Sequence, residues 1–319
     1  MTRGHSRPIS EDGASDRYGR SDQKPGARDP RAELLAGLPV HESMYSLSGV
    51  STAVLEGGEG PPIVFLHGPG EYGAKWIEVL TRFAATHRVI APDLPGHGAS
   101  VPTGEPLDVH RTIAWLEQLV DRTCEQAPVV VGQILGGAIA ARFAARHADR
   151  LSKLVLVDSL GLAPFEPAPE FMAALTEYLM RPSSDTHDGM WRRCAFDLDR
   201  MQARLGGTWE RLKAYSLDRA EDARLSAQQE KLMQEFGIPA IPSAVLESIG
   251  VETTLIWGRH DLATRLAVAE ATSARYRWPL HVIDRAGDDP PLERPEAFVE
   301  ALRAALGAEA GSLRAGEMS

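Results

Sequence analysis

The chain of 319 residues contains no asparagine and only two cysteines, Cys124 and Cys194. Two cysteines are too few for a disulfide framework or a cysteine-based zinc site, and a chain without asparagine has no N-glycosylation acceptor. No apolar run approaches the roughly 18–20 residues that span a bilayer, so no membrane partner is expected. The first residues lack the apolar stretch of a secretory signal, which points to the cytosol. Lysine is also scarce, at positions 24, 75, 153, 213 and 231 among 34 basic residues, and the net charge is −10. A nucleic-acid partner is excluded on that balance, because such affinity comes largely from cations neutralising phosphates.

What is present is ordinary for a globular chain, with 43% hydrophobic and 24% charged residues. Residues 1–31 mix charges of both signs with Gly, Ser and Pro and have almost nothing apolar to bury, so they are expected to be a disordered tail. Residues 307–319 are read as a second flexible tail. Between them, short apolar runs at Val50–Leu55, Ile63–Leu66, Val89–Ala91, Val129–Val131, Lys153–Val157, Thr254–Trp257 and Leu280–Ile283 alternate with helical patterns. That alternation implies parallel β-α-β units in a sheet covered on both faces. It stops between about 161 and 250, where the pattern is helical: Glu170–Met180, Asp188–Arg204 and Trp209–Phe236.

Six blocks in order carry a family resemblance: LHGPG after a strand, APDLPGHGAS, VVVGQILGGAIAARFA, LVLVDSLG, LIWGRHD and AGDDPPLERPEAFVEAL. Over residues 46–306 the chain resembles the α/β-hydrolase fold, in the flavour of the capped small-molecule ester, epoxide and carbon–carbon bond hydrolases. The resemblance implies a mostly parallel central sheet flanked by helices, a core of residues 45–160 and 251–306, and a helical cap over 161–250.

The chemistry of that family rests on a G-x-S-x-G elbow. Here the elbow reads Gly132-Gln133-Ile134-Leu135-Gly136, with both glycines and no nucleophilic atom. The position of the base His, in the AGH–Pro–ErPeaF segment, is held by Asp288, whereas Asp261 in WGRHD matches the retained acid. With no imidazole between them, Asp261 and Asp288 are expected as neighbouring carboxyls, one with a raised pKa unless Arg259 or another cation intervenes. The resemblance places the oxyanion and ligand pocket at Gly68, Gly70, Glu71, Gln133 and Leu135; Pro69 has no N–H to give. His67 and His97 are read as structural, and Cys194 as a core residue.

The residues and the resemblance together lead to the expectation of a pseudoenzyme. It would have a degenerate Ser-His-Asp triad and bind a small apolar ligand between core and cap, without a cofactor or metal. Two alternatives stand beside it. One is an enzyme of this family acting without a serine (a lyase, isomerase, cyclase or atypical hydrolase), with Glu71, Asp261 or Asp288 as acid/base groups. The other is an interaction module built on the cap. The oligomeric state is left open.

Overall fold

A computed structural model describes residues 29–307. Residues 1–28 and 308–319, which hold most of the two expected tails, lie outside the described residues. Pro30 and Arg31, expected in the tail, instead open a helix, Pro30–Leu35, whose N-cap Asp29 accepts from the Arg31 amide.

The strands are β1 (His41–Leu47), β2 (Val50–Gly57), β3 (Pro62–Leu66), β4 (Arg88–Pro92), β5 (Val101–Pro102), β6 (Val129–Gln133), β7 (Lys153–Val157), β8 (Thr253–Gly258) and β9 (Leu280–Ile283). They form one sheet in the order β1-β2-β4-β3-β6-β7-β8-β9, with β5 attached to β2. The β1–β2 and β2–β4 pairs are antiparallel, and pairing from β4 to β9 is parallel. Both faces are covered, which is why β3, β6 and most of β7 are continuous apolar runs. On one face lie the helices Ile77–Phe83 and Pro295–Leu306, and on the other Val109–Thr123, Leu135–Arg146 and Leu266–Tyr276. This is the α/β-hydrolase arrangement that the ordered blocks imply.

Between β7 and β8 the chain makes helices at Pro169–Met180, Ser184–Cys194, Leu198–Leu205, Gly207–Ala220, Ala223–Leu232 and Ser243–Glu247. Two helices expected to be continuous are broken. Asp222 stops the expected Trp209–Phe236 helix by capping Arg224. Asp197 does the same to the Asp188–Arg204 helix by capping Arg200. A short polar side chain that can accept from the next turn makes a restart favourable, and a helical periodicity count does not register it.

The insertion packs on the C-terminal ends of the parallel strands, where ligand sites form in open α/β sheets. Tyr72 donates to the Leu212 carbonyl at 2.9 Å and meets Tyr215 edge-on at 4.6 Å. Arg31 ties three parts together, pairing with Asp93 at 2.9 Å and with Glu42, and donating to the Tyr215 hydroxyl. Asp93 in turn accepts from the amides of Gly73 (2.6 Å) and Ala99 (2.7 Å), so the loop leading into the site is held from below.

Candidate active site

The elbow is formed as its sequence implies. Between β6 and the helix Leu135–Arg146, Ile134 has φ 47° and ψ −105°, left-handed backbone that a β-branched residue rarely adopts. Its amide donates to Val157 O and its carbonyl accepts from Leu160 N, so the strain is held by the neighbouring strand and loop. The Leu135 N–H lies in the first turn of the following helix, where amides have no intrahelical partner and favour negative charge.

Glu71 reaches back into this turn. Its Oε2 accepts from the Gly68 amide at 3.0 Å and its Oε1 pairs with Lys75 Nζ at 2.6 Å. A methyl group on Gly68 would lie 3.0 Å from Glu71 Oε2 and 3.3 Å from Ile134 Cδ1, so carboxylate and elbow side chain converge on one spot. Gly70, at φ 71°, sits exposed on the rim and makes the reversal that turns Glu71 inward.

Lys75 is the buried cation of the site. It pairs with Glu71 and also with Asp289 at 2.7 Å, and its ammonium lies 4.2 Å from the centre of the Trp191 ring in the insertion. Burial alone would lower its pKa, but the two carboxylates outweigh burial and raise it, so it is charged at every working pH. Replacing it would leave two buried carboxyls without a counter-charge. Lys75→Met is therefore expected to cost about 3–5 kcal/mol, read by urea unfolding at pH 7.5; a loss below about 1 kcal/mol would show that the cluster is hydrated and weakly coupled.

Across the strand ends sit three more carboxyls. Asp158 follows β7 and accepts from Gly258 N at 2.8 Å through one oxygen, and its carboxyl is buried against that of Asp261, which it can meet only by sharing a proton. Asp261 accepts from the Ala263 amide and from Thr264 through both amide and hydroxyl, at 2.5–2.9 Å. Asp288 follows, with its carbonyl accepting from Gln133 Nε2 at 3.0 Å. Burial, then the charge of Asp261, drives Asp158 and Asp288 well above the usual carboxylate range; burial also raises Asp261, against its donors. Arg259 does not intervene. It turns outward to the exposed Asp284. Among the described residues no ion pair relieves the three carboxyls, so burial and mutual repulsion both favour their protonated forms.

The structure thus brings Ile134, Leu135, Gly68 and Glu71 to one turn and places Asp261 and Asp288 on adjacent loops. Gln133 is not a free ligand donor, because its amide is spent on the loop of Asp288. His67 is structural: its Nε2 accepts from Leu94 N at 2.9 Å, its Nδ1 lies 2.7 Å from Gly68 O, and burial lowers its pKa to about 4. Cys194 is buried beside Asp288, and burial raises its thiol pKa well above the usual value, which removes it as a nucleophile. Sequence reasoning passed over Lys75, Asp289 and Glu293 as site groups. The available signal was spacing: Glu71 and Lys75, and Asp289 and Glu293, each stand four residues apart.

The sheet order, the elbow and the retained acid loop define an α/β-hydrolase fold. The model of the alpha/beta hydrolase family matches residues 63–301. The chain belongs to that family. It is 38% identical over 138 residues to the pimeloyl-[acyl-carrier protein] methyl ester esterase of Vibrio vulnificus, a match covering 41% of this chain and 50% of that protein. The chain therefore spans about half the length of that relative. It is 27% identical to the 2-hydroxy-6-oxo-2,4-heptadienoate hydrolase of Pseudomonas putida, over 83% of this chain and 96% of that enzyme. A solved serine hydrolase from Cycloclasticus zankles is similar in fold, with a TM-score of 0.74 at 23% identity over 86% of this chain and all of that one.

These likenesses correct the expectation of a non-hydrolytic pseudoenzyme with a degenerate triad. The matched relatives are named as working esterases and hydrolases. Ile134 itself is buried among apolar side chains such as Leu66, Leu135 and Leu160, but the Lys75-paired carboxylate of Glu71 approaches the end of its side chain. The expectation rested on the replaced residues at two positions, Ile134 and Asp288, and the hydrolase relatives overturn it. No helix among the described residues is long and apolar enough to cross a membrane.

Proposed function

We propose that the chain is a catalytic hydrolase of small, largely apolar esters or related carbonyl compounds, working in the cytosol without a covalent acyl-enzyme. Ile134 and Asp288 stand at the nucleophile and base positions of the family, and the work passes to the groups around them. Glu71 takes a proton from a water molecule, whose oxygen attacks the substrate carbonyl. The oxyanion forms against the Leu135 N–H and the positive end of its helix. As the carbon–oxygen bond breaks, the neutral carboxyl of Asp288 gives its proton to the leaving alkoxide, yielding acid and alcohol. Proton exchange with solvent then restores Glu71 as carboxylate and Asp288 as acid.

The observation that carries this reading is the placement of Glu71. Its carboxylate is held by Lys75 and the Gly68 amide at the spot where the Ile134 side chain ends. A buried carboxyl held above the usual range, on the loop next to a lysine-paired carboxylate, offers the acid and the base that such hydrolysis requires. The two free cysteines agree with a reducing compartment.

The test is a panel of p-nitrophenyl esters and dienoate C–C substrates, with intact-mass analysis after rapid quench. Turnover is expected with no acyl adduct, and a fluorophosphonate is expected to leave the protein unlabelled. A phosphonylated serine, or no turnover across the panel, would overturn the proposal.

A further inference from the structure

The loop that carries Asp288 is gripped from three sides. From the elbow, Gln133 donates to the Asp288 carbonyl. From behind, β8 presses so closely that a Cβ on Gly258 would lie on the Gly287 carbonyl. From the front comes the insertion. The break between the helices Ser184–Cys194 and Leu198–Leu205 leaves an extended stretch at Ala195, with φ −86° and ψ 143°. That stretch runs across the loop, where the Asp288 amide donates to Cys194 O at 3.1 Å. A Cβ on Gly287 would lie on that same carbonyl, so only glycine lets the two backbones meet.

One side chain spans this junction. Glu293 Oε1 accepts from the Gly287 amide and its Oε2 accepts from the Phe196 amide, both at 2.7 Å. It is 9% exposed and lies under the seam of insertion and core. The proposed hydrolysis uses no atom of it.

We propose that Glu293 is a positioning residue: by holding the insertion at Phe196 and the loop at Gly287 together, it makes seating of the insertion and placement of Asp288 one event. This rests on the acid role given to Asp288 above. A residue that touched only the loop would steady Asp288 regardless of the insertion, and one that touched only the insertion would leave Asp288 alone. Glu293 touches both, with one oxygen each, so neither segment moves without unpairing a buried amide of the other.

The junction is also sensitive to protons. Burial pushes Glu293 up to about 7, against the two amides that favour its charged form, and Asp289 adds to the rise. Asp288 and Arg294 flank it along the chain, and Arg285 comes from the loop after β9. Asp197, Arg200 and Arg204 face the same seam from the insertion. Lifting the insertion would return Glu293 to solvent and toward the ordinary value near 4.3. The seated form therefore holds a proton that the lifted form releases, and raising the pH through about 5–7 favours lifting.

The test uses Glu293→Ala and Glu293→Gln in the full chain, with hydrogen exchange of peptides covering 194–198 and 285–289 and steady-state kinetics on an ester that turns over. In Glu293→Ala, both peptides are expected to exchange faster together, by about tenfold, while kcat falls about tenfold to a hundredfold at a KM within threefold. Glu293→Gln keeps one acceptor and cannot ionise, so its effect is expected to be intermediate, and its protection factors are expected to lack the pH 5–7 dependence predicted for the native chain. Faster exchange in only one peptide, or an unchanged kcat, would overturn the proposal. Should Glu293→Ala fail to fold, Phe196→Pro removes the insertion-side donor alone; faster exchange at 285–289 supports the coupling, and none overturns it. If no ester turns over, the hydrolase reading fails by itself, and the exchange arm still decides whether the two segments move as one.

Discussion

Glu71→Gln is expected to lower kcat by at least about a hundredfold while changing KM little. A general base contributes about 10²–10⁴-fold, and the amide keeps the size and the hydrogen-bonding reach of the carboxylate but cannot accept a proton. The substitution is also expected to be structurally mild. Lys75 keeps Asp289 as a partner at 2.7 Å, and the Gly68 amide can still donate to the new carbonyl oxygen, so no buried charge is orphaned. That separates Glu71→Gln from Lys75→Met, which breaks the cluster. The measurement is a kcat and KM comparison at pH 7.5, with urea unfolding as control for the fold. Turnover within threefold of the native chain would remove Glu71 from the chemistry.

Asp288→Asn is expected to act in opposite directions on activity and stability. As the proton donor, Asp288 cannot be replaced by an amide without losing about 10²-fold or more in turnover of substrates with poor leaving groups, and less for nitrophenyl esters, whose leaving group needs no proton. On stability, the sign follows from burial. Asp288 is held well above the usual carboxylate range by burial and by Asp261. Its contribution is therefore fully present below about pH 4, where the unfolded chain is also protonated, and is lost as pH rises through the native value. Asparagine cannot ionise and carries no such loss. The variant should gain on the native chain as the pH rises above the ordinary carboxylate range. Both proteins must be unfolded at each pH, because burial holds His67, His97 and His187 below their usual range and works the other way on acidification. A pH-independent gap would mean that Asp288 is ionised in the native protein and has found a donor or cation.

How far the sequence carried the reading depends on the element. The buried strands and the elbow were legible, because a strand covered on both faces must be apolar along its length and a strand-to-helix turn this tight demands its two glycines. Strand β1 was not: His41–Leu47 lies at the sheet edge with most side chains exposed or half-buried, so its composition does not separate it from a loop. The breaks at Asp197 and Asp222 were missed because capping is a local hydrogen bond, whereas helical periodicity continues through it. At the site, Ile134, Asp261 and Asp288 were found by position in a motif. Lys75, Asp289 and Glu293 were not, since their partners lie 4 to 214 residues away along the chain: Glu71 and Asp289 for Lys75, and Gly287 and Phe196 for Glu293.

By itself, the sequence determined the family, the order of its elements and the identity of the side chains at the elbow and acid loops, because these follow from local pattern and spacing. It also showed that no serine stands at position 134. The tertiary structure alone decided what surrounds that position. Whether a carboxyl is ionised, neutral or paired depends on burial and on charges brought from distant loops, and neither is a property of the residue or its neighbours in the chain. That environment turns Glu71 into a lysine-paired carboxylate, Asp288 into a buried acid and Glu293 into the bridge between insertion and core.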